Sequence, residues 1–467
     1  MARSTSGSCP RPAQRGVPVR LADLVLAVGL AACGGGGGGS GSSDLGGPLG
    51  LAPPAPAPVA GVPAASPPSG PLGPSAAPTP ASAGPAPSSS PAPSAGPATT
   101  LFTARVLDPL GQAGTQGLNN RGQAAWTQAD PNAPRGLLVE PPQFGRFFDG
   151  NQVQEVIGNR PARITGLNDA GQVVGQLLES SNTRVFRWSP DAPDALVVID
   201  FQPGTFTDAH GMNGKGQVTG TITVRRDFHS AYRWTPPTTG AGVENLEPLT
   251  GPGSLPLVIA GHFINEDGTV AGVSSTPSGA VHPALWVPGQ PVRDLGSLGG
   301  SRATVDGLND ANQVVGQSDV GNGAQHAYRW SAAEGMVDLG TLGGANSSAS
   351  GINASGTVVG TAESADAGSL RAFVWNGGAL QSLGTLGGAW SAGRVINASG
   401  QVGGTSADAN GVAHAFLWSA AEGMVDLNTR VKGDAAPVLQ TVVALADDGS
   451  LLASSDGGLV LLRPNAN

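Results

Sequence analysis

Histidine offers this 467-residue chain its most versatile chemistry, because imidazole can bind metals, transfer protons and meet anions. Three of the six histidines, His282, His326 and His414, stand four residues before a tryptophan, and Arg371 holds the same place in another copy of the pattern. A residue that recurs in every repeat is more often structural than catalytic, since catalysis needs one asymmetric constellation. If this position faced a common channel, the four residues would form a partial ring able to bind an anionic ligand.

Other reactive groups give weaker signals. Acidic turns such as Asp447-Asp448-Gly449 carry the oxygen ligands that calcium prefers, but the EF-hand spacing with its distal Glu is absent. The sequence contains no Gly-x-Ser-x-Gly elbow, no His-Glu-x-x-His and no Cys-x-x-Cys. The glycine run Gly34 to Gly39 follows no strand and precedes no helix, so it is not a phosphate loop. The sequence therefore predicts no metal and no cofactor, and it favours binding over catalysis.

A repeated motif must position these residues. It consists of an Asn, two turn-forming residues, a Gly and a short apolar strand, and it returns eight times at steps of 44 to 52 residues. The Asn side chain can bond the backbone two residues on, and the Gly accepts the positive φ that reverses the chain. The last copy has Ala446 in place of Asn. The other copies place the Asn at Asn119, Asn168, Asn213, Asn265, Asn309, Asn353 and Asn397.

Two further blocks follow each motif. The first ends on a tryptophan that occupies one repeat position in six copies, and the second is typified by Asp294-Leu295-Gly296. The apolar runs are short, rich in Val, Ile and aromatic residues, and closed by Gly, Asn, Asp or Ser, which is typical of β-strands. The tryptophans predicted to be structural are Trp188, Trp234, Trp286, Trp330, Trp375 and Trp418.

Sheets of four strands repeating about every 45 residues are typical of an all-β protein with β-propeller architecture. The last copy lacks its final strand, and a stretch resembling that strand, Val106 to Gly111, stands before the first motif. Pairing of the N-terminal strand with the C-terminal blade would close the ring and remove an exposed sheet edge. Eight motifs favour eight blades. Seven remain an alternative because the first copy, around Phe144 to Gly158, is poorly patterned.

The combined motifs resemble the HAF family of bacterial extracellular repeat proteins, named for a His-Ala-Phe tripeptide. The name-giving residues are His414-Ala415-Phe416, with His326-Ala327-Tyr328 as a variant. The resemblance is strong from about Leu295 to Leu427 and fainter back to Gly117. It implies an exported or surface-exposed protein and no particular activity.

The N-terminal segment predicts export. Residues 1–32 combine four Arg with a short apolar core, as in a signal peptide, and Leu30-Ala31-Ala32-Cys33 resembles the lipobox of bacterial lipoproteins. That resemblance implies a lipid on Cys33 and attachment to the bacterial outer membrane through acyl chains. An ordinary cleaved signal with an incidental Cys is the alternative. Residues 33–100, rich in Gly, Pro, Ala and Ser, cannot bury a core and are expected to form a disordered tether before a folded domain at 101–467.

The negative net charge of the chain argues against nucleic acid as a partner. Residues 1–32 carry four Arg and one Asp, so 20 basic and 32 acidic residues remain without them, a net charge of −12. Such a chain repels nucleic acid. The expected protein is a monomeric, non-catalytic platform for a glycan or an envelope protein. The alternative is a propeller enzyme acting on polysaccharide, with acids at the channel mouth from among Asp200, Asp208, Glu244 and Glu247.

Overall fold

A computed structural model describes most of the chain from residue 101 onward. The described residues are 101–109, 116–130, 142–158, 160–179, 183–199, 205–224, 228–236, 242–251, 258–366, 369–431 and 437–465. The predicted signal peptide, Cys33, the predicted tether and Asp200 lie outside them. Within these ranges, the structure contains no helix with the length and apolar character that a membrane span requires.

The described strands group into eight blades of antiparallel strands, and one parallel bridge, between Val281 and Arg302, joins blades 4 and 5 into a single sheet. Strand β1 (Phe102–Asp108) precedes the first blade in the chain. Blades 1 to 4 consist of β2 (Gln116–Leu118), β3 (Ala124–Ala129), β4 (Gln143–Phe148) and β5 (Val153–Glu155); β6 (Ala162–Leu167), β7 (Val173–Leu178), β8 (Thr183–Trp188) and β9 (Val197–Ile199); β10 (Phe206–Met212), β11 (Val218–Val224), β12 (Phe228–Trp234) and β13 (Val243–Leu246); β14 (Ile259–Ile264), β15 (Val270–Ser275), β16 (Val281–Trp286) and β17 (Arg293–Asp294).

Blade 5 differs in that its first strand is interrupted. Blades 5 to 8 consist of β18 (Gly299–Ala303) and β19 (Gly307–Leu308), β20 (Val314–Val320), β21 (Gln325–Ser331) and β22 (Gly335–Gly340); β23 (Gly343–Ile352), β24 (Val358–Ser364), β25 (Leu370–Trp375) and β26 (Gln381–Ser382); β27 (Gly387–Ile396), β28 (Val402–Asp408), β29 (Ala413–Ser419) and β30 (Gly423–Asp426); β31 (Leu439–Leu445), β32 (Leu451–Ser455) and β33 (Gly458–Pro464), completed by β1. A 3-10 turn at Leu427–Thr429 follows blade 7.

The first strand of each blade lies nearest the axis. Each of these strands contacts the first strand of the next blade, and the first strand of blade 8 contacts that of blade 1. The contacts therefore form a closed ring, as in a β-propeller with a central channel. The second, third and fourth strands follow outward in each sheet. The predicted β-propeller is confirmed, and the described residues form eight blades rather than seven.

The two ends of the domain pair in the last blade. Strand β1 runs antiparallel to β33, from Phe102 opposite Pro464 to Asp108 opposite Leu459. Phe102 is only 2% exposed and packs in a cluster with Leu427, Leu451 and Leu462. Closure by strand exchange between the termini is therefore confirmed, and it completes blade 8 on its outer side.

Tryptophans pack between neighbouring blades. Each of the six predicted structural tryptophans is the last or the last but one residue of a third strand and pairs with the first residue of the second strand, as Trp188 pairs with Val173. The residue directly before the tryptophan position of one blade contacts the tryptophan of the next blade. Phe147 packs edge-on against Trp188 with ring centroids 5.3 Å apart, and the Arg329 guanidinium lies 4.6 Å from the Trp375 ring. The apolar clusters consequently lie at the blade interfaces.

One blade interface contains a cavity of about 290 Å³. In blade 8, Leu462 pairs with Leu451 and so holds the place that tryptophan holds in blades 2 to 7. Leu417 precedes that place in blade 7 and lines the cavity together with Phe102 and Arg430. The cavity lies at the seam where β1 closes the ring.

Candidate ligand-binding channel

The repeated Asn builds both a turn and a contact between blades. In blade 2, the Oδ1 of Asn168 accepts the backbone N–H groups of Ala170 (3.1 Å) and Gln172 (2.9 Å), and Gly171 has φ of 80°. The Nδ2 of Asn168 donates to the Gln172 side chain (3.0 Å) and to the Asn213 carbonyl in blade 3 (3.0 Å). The predicted side-chain turn is therefore present, and the same buried amide also joins two blades.

This contact between blades recurs along the described ring. The Asn Nδ2 donates to the backbone carbonyl at the same place in the next blade over 2.8 to 3.2 Å, ending with Asn397 and Ala446. Because these bonds set neighbouring first strands at one level, residues counted back from the Asn lie at a common depth in the channel. The other donors are Asn119, Asn168, Asn213, Asn265, Asn309 and Asn353.

A β-bulge lies three residues before the Asn in most blades. In β10, for example, Ala209 and Gly211 pair with consecutive residues of β11, so His210 is left out of the ladder. A bulge redirects the unpaired side chain. The residues at this level, from blade 2 to blade 8, are Thr165, His210, His262, Asp306, Ser350, Arg394 and Val443.

The burial pattern shows which side of the first strands faces the channel. In β10, Thr207 and Ala209 are buried, whereas Phe206, Asp208 and His210 are partly or fully exposed. The side chain of His210 also reaches the next first strand, where its Nδ1 lies 2.9 Å from the Gly261 carbonyl. The residues three before the Asn are partly or fully exposed in blades 2 to 8 and form the described part of the channel wall, together with those residues five before the Asn that are not buried; Ser348 and Ala392 at that second level are buried.

Titratable groups are concentrated on the wall of blades 3 to 5. The rings of His210 and His262 lie with centroids 5.5 Å apart, and burial lowers the pKa of His262 to about 4. Burial raises the pKa of Asp306 to about 6, against a hydrogen bond from the Thr304 hydroxyl that lowers it. Burial also raises the pKa of Asp208, while the charges of His210 and Arg163 oppose that rise.

The described channel wall opposite His210 carries one positively charged residue, Arg394. Arg394 in blade 7 lies four blades from His210, so in a ring of eight the two face each other across the axis. Burial lowers the pKa of the Arg394 guanidinium. Unlike the repeated Asn and Trp, the residues at this level differ from blade to blade. The channel therefore has the asymmetry that a specific site requires.

The structure does not place the four sequence-predicted ligand residues on the channel. His282, His326 and His414 lie on third strands, and each pairs through Nδ1 with an Asp twelve residues on in the fourth strand, over 2.7 to 2.9 Å. Arg371 lies on the third strand β25 and donates to the carbonyls of Leu370 and Ala389. Two strands separate these residues from the axis, so they form no ring around it. Ligand binding by these four residues stays a prediction, but they do not form the ring around the channel from which it was inferred.

The acids proposed for an enzyme are also separated. Asp208 lies on the first strand of blade 3, whereas Glu244 lies on its fourth strand, about 14 Å away at 4.8 Å per strand spacing. The Glu244 carboxylate pairs with Arg233 over 2.6 Å. Exposed Glu247 follows β13, and its backbone carbonyl accepts the indole N–H of Trp286 (2.7 Å). In the described parts of the chain, no group of three His, Cys, Asp or Glu side chains could hold a metal ion.

Comparisons with known proteins concern the fold. No family model matches the chain, and no curated protein matches it. Similar solved structures include dipeptidyl peptidase 4 of Porphyromonas gingivalis, at 10% identity over 74% of this chain and 57% of that chain, with a TM-score of 0.50. A puromycin-hydrolyzing peptidase of Mycobacterium tuberculosis shows 13% identity over 76% and 61% of the two chains, with a TM-score of 0.46.

A third similar structure is the β-propeller domain of the trilobed protease from Pyrococcus furiosus, at 11% identity over 71% of this chain and 97% of that one, with a TM-score of 0.42. The chain spans less than two thirds of the length of the two peptidases. At such identities the likeness concerns the fold alone.

Proposed function

We propose that this chain is an exported, lipid-anchored envelope protein whose propeller binds a partner, a glycan or an envelope protein, at its central channel without catalysing a reaction. The supporting observation is the contrast between two sets of polar residues. The side chains that repeat from blade to blade are used in turns and strand contacts, as in the pair of His326 and Asp338. The side chains on the channel wall do not repeat, and His210 among them is exposed.

Export and anchoring rest on the sequence of residues 1–33. The basic segment, the apolar core and Cys33 support a lipoprotein signal, and the resemblance to HAF repeats supports an extracellular or envelope location. A propeller at the end of a Pro-rich tether would reach partners away from the membrane surface. Anchoring through acyl chains is consistent with a chain that has only two lysines, Lys215 and Lys432, to attract anionic lipid.

A binding screen tests the proposal. The full chain, extracted in detergent, is presented to arrays of envelope glycans and envelope proteins, with His210→Gln as the channel variant. Glutamine keeps a donor for the Gly261 carbonyl and removes the imidazole. Retention of one ligand class by the wild type and weaker retention by the variant support the proposal. Failure to retain any glycan or protein would refute it.

An enzyme acting on polysaccharide remains the second candidate, and one observation favours it. A carboxyl group with a pKa near 6, as burial gives Asp306, is suited to general acid catalysis near neutral pH. Glycoside hydrolysis would need a second carboxylate about 5 to 9.5 Å away. If the ligand from the screen is shortened by the wild type and left intact by Asp306→Asn, the enzyme replaces the binding platform as the better account.

A further inference from the structure

The wall of blades 6 to 8 contains one charged residue at the two channel-facing levels. Among the described residues there, Arg394 is the only ionisable side chain. It makes no hydrogen bond and no ion pair with any described residue. Its neighbours at these levels are neutral: Ser348, Ser350, Ala392, Thr441 and Val443.

A guanidinium in this setting favours an anion from outside the chain. Withdrawing a charged group from water without a partner is unfavourable, and the lowered pKa of Arg394 reports that desolvation. The channel acids Asp208 and Asp306 lie four and two blades away from Arg394, in blades 3 and 5. The planar fork of an arginine matches a carboxylate with two parallel hydrogen bonds. A carboxylate in the channel would therefore supply the missing partner.

The rest of the wall fits a sugar. Thr165 in blade 2 and Ser350 in blade 6 add hydroxyl groups at this level; the Thr165 Oγ1 is buried, and the Ser350 hydroxyl donates to the Gly393 carbonyl over 3.0 Å. The Thr165 hydroxyl has no hydrogen-bond partner among the described residues. Phe206, at the start of β10, is 49% exposed and offers an apolar face on which a sugar ring can lie. We propose that the channel binds an acidic saccharide, with its carboxylate on Arg394; this rests on the proposed binding function.

The channel mouth formed by the turns of the repeated Asn is rich in exposed carboxylates. The turns that contain the repeated Asn carry six exposed carboxylates against two exposed cations, Arg121 and Lys215, in the described ranges. This face repels an anionic ligand. Phe206 lies at the opposite end of the first strand, so entry from that side keeps the saccharide away from these carboxylates. The carboxylates are those of Asp169, Glu266, Asp267, Asp310, Asp447 and Asp448.

Isothermal titration of the full chain in detergent tests this assignment, with trigalacturonate as the probe and neutral maltotriose and inorganic phosphate as comparisons. We expect trigalacturonate to bind, maltotriose to bind at least about tenfold more weakly, and phosphate to bind more weakly still, because it lacks the sugar contacts. Arg394→Gln should weaken trigalacturonate binding about tenfold, and Arg394→Lys should restore part of it. Arg184→Gln, which removes an arginine from the third strand β8, should leave it unchanged.

Several results would overturn the assignment. Equal binding of trigalacturonate and maltotriose would remove the role of the carboxylate, and phosphate binding as tight as trigalacturonate would remove the role of the sugar. Unchanged affinity in Arg394→Gln, with an unchanged melting temperature, would remove Arg394 from the site. If the envelope screen yields a ligand but trigalacturonate does not bind, this inference fails and the proposed function stands. If neither binds, both fail.

Discussion

The Asn397 side chain donates its Nδ2 hydrogen to the backbone carbonyl of Ala446 over 3.1 Å, and the series of amide bonds between blades ends there. The methyl group of Ala446 cannot donate a hydrogen bond to blade 1. A different bond joins blades 8 and 1: the backbone N–H of Asp447 donates to the Oδ1 of Asn120 over 2.9 Å. The ring is thus linked at every junction, but the last junction lacks the buried amide that the others share.

Restoring the amide at the last junction should stabilise the domain. Ala446→Asn supplies a donor toward the Asn119 carbonyl, and one additional buried hydrogen bond is worth about 1 kcal/mol in the free energy of unfolding. Ala446→Asp is the matched control, because an ionised carboxylate can accept the turn N–H groups but cannot donate to blade 1. Urea denaturation measures both. An equal gain in the two variants would show that the contact between blades is not the cause.

Removal of the closing strand should destabilise the whole propeller. Deleting Phe102 to Asp108 leaves β33 as an open edge and removes the buried Phe102 ring from the last blade. We expect a loss of at least about 3 kcal/mol in the free energy of unfolding, the scale of one large buried aromatic. Deletion of seven residues from the Pro-rich segment is the control. A thermal melt that is the same for both deletions would contradict closure by β1.

The stability of the domain should depend on Asp306 in a defined pH window. Burial raises the pKa of this carboxyl group from 3.8 to about 6, so the folded state keeps a proton that the unfolded state releases. The free energy of unfolding therefore falls as pH rises from 3.8 to 6, by up to about 3 kcal/mol from this group alone.

Asp306→Asn removes this titration and can keep the hydrogen bond from Thr304. The variant should be more stable than the wild type at pH 8 and equally stable at pH 3.5. Thermal denaturation at the two pH values measures the difference, with the exposed Asp191→Asn as control. A variant that differs from the wild type by the same amount at both pH values would contradict the buried carboxyl.

Lipid anchoring should depend on one cysteine. Cys33→Ala removes the thiol that the lipobox resemblance marks for acylation, so labelling with a radioactive fatty acid should disappear and the protein should leave the membrane fraction. Cys9→Ala, within the predicted signal peptide, is the matched control and should remain labelled. Membrane partitioning of Cys33→Ala equal to that of the control would refute the anchor.

The repeat made most of the fold predictable. The spacing of Asn119 to Ala446 gave the blades, and the incomplete last copy together with the stretch before the first motif gave the closure. The side-chain turn at each Asn followed from residue type alone. Its second bond, to the next blade, did not, because it depends on how closely two first strands approach.

The candidate site was less predictable because its residues are those that do not repeat. The sequence repeat identifies residues that several blades share, and it therefore indicated His326 rather than His210. The pairing of His326 with Asp338 is visible in the sequence, because an Asp follows the His by twelve residues in three blades. In blade 6, where Arg371 replaces the His, Ser382 stands in place of the Asp. The bulges shift the register by one residue, and the pKa changes of His262 and Asp306 arise from burial. Neither can be obtained from composition or spacing.

The central claim is that the partner binds the channel wall. The affinity of the partner recovered in the envelope screen should be compared among the wild type, His210→Gln on the first strand of blade 3 and His326→Gln on the third strand of blade 5. The account predicts at least about tenfold weaker binding for His210→Gln and unchanged binding for His326→Gln. Unchanged affinity for His210→Gln with a loss for His326→Gln would contradict it and place the site on the outer strands.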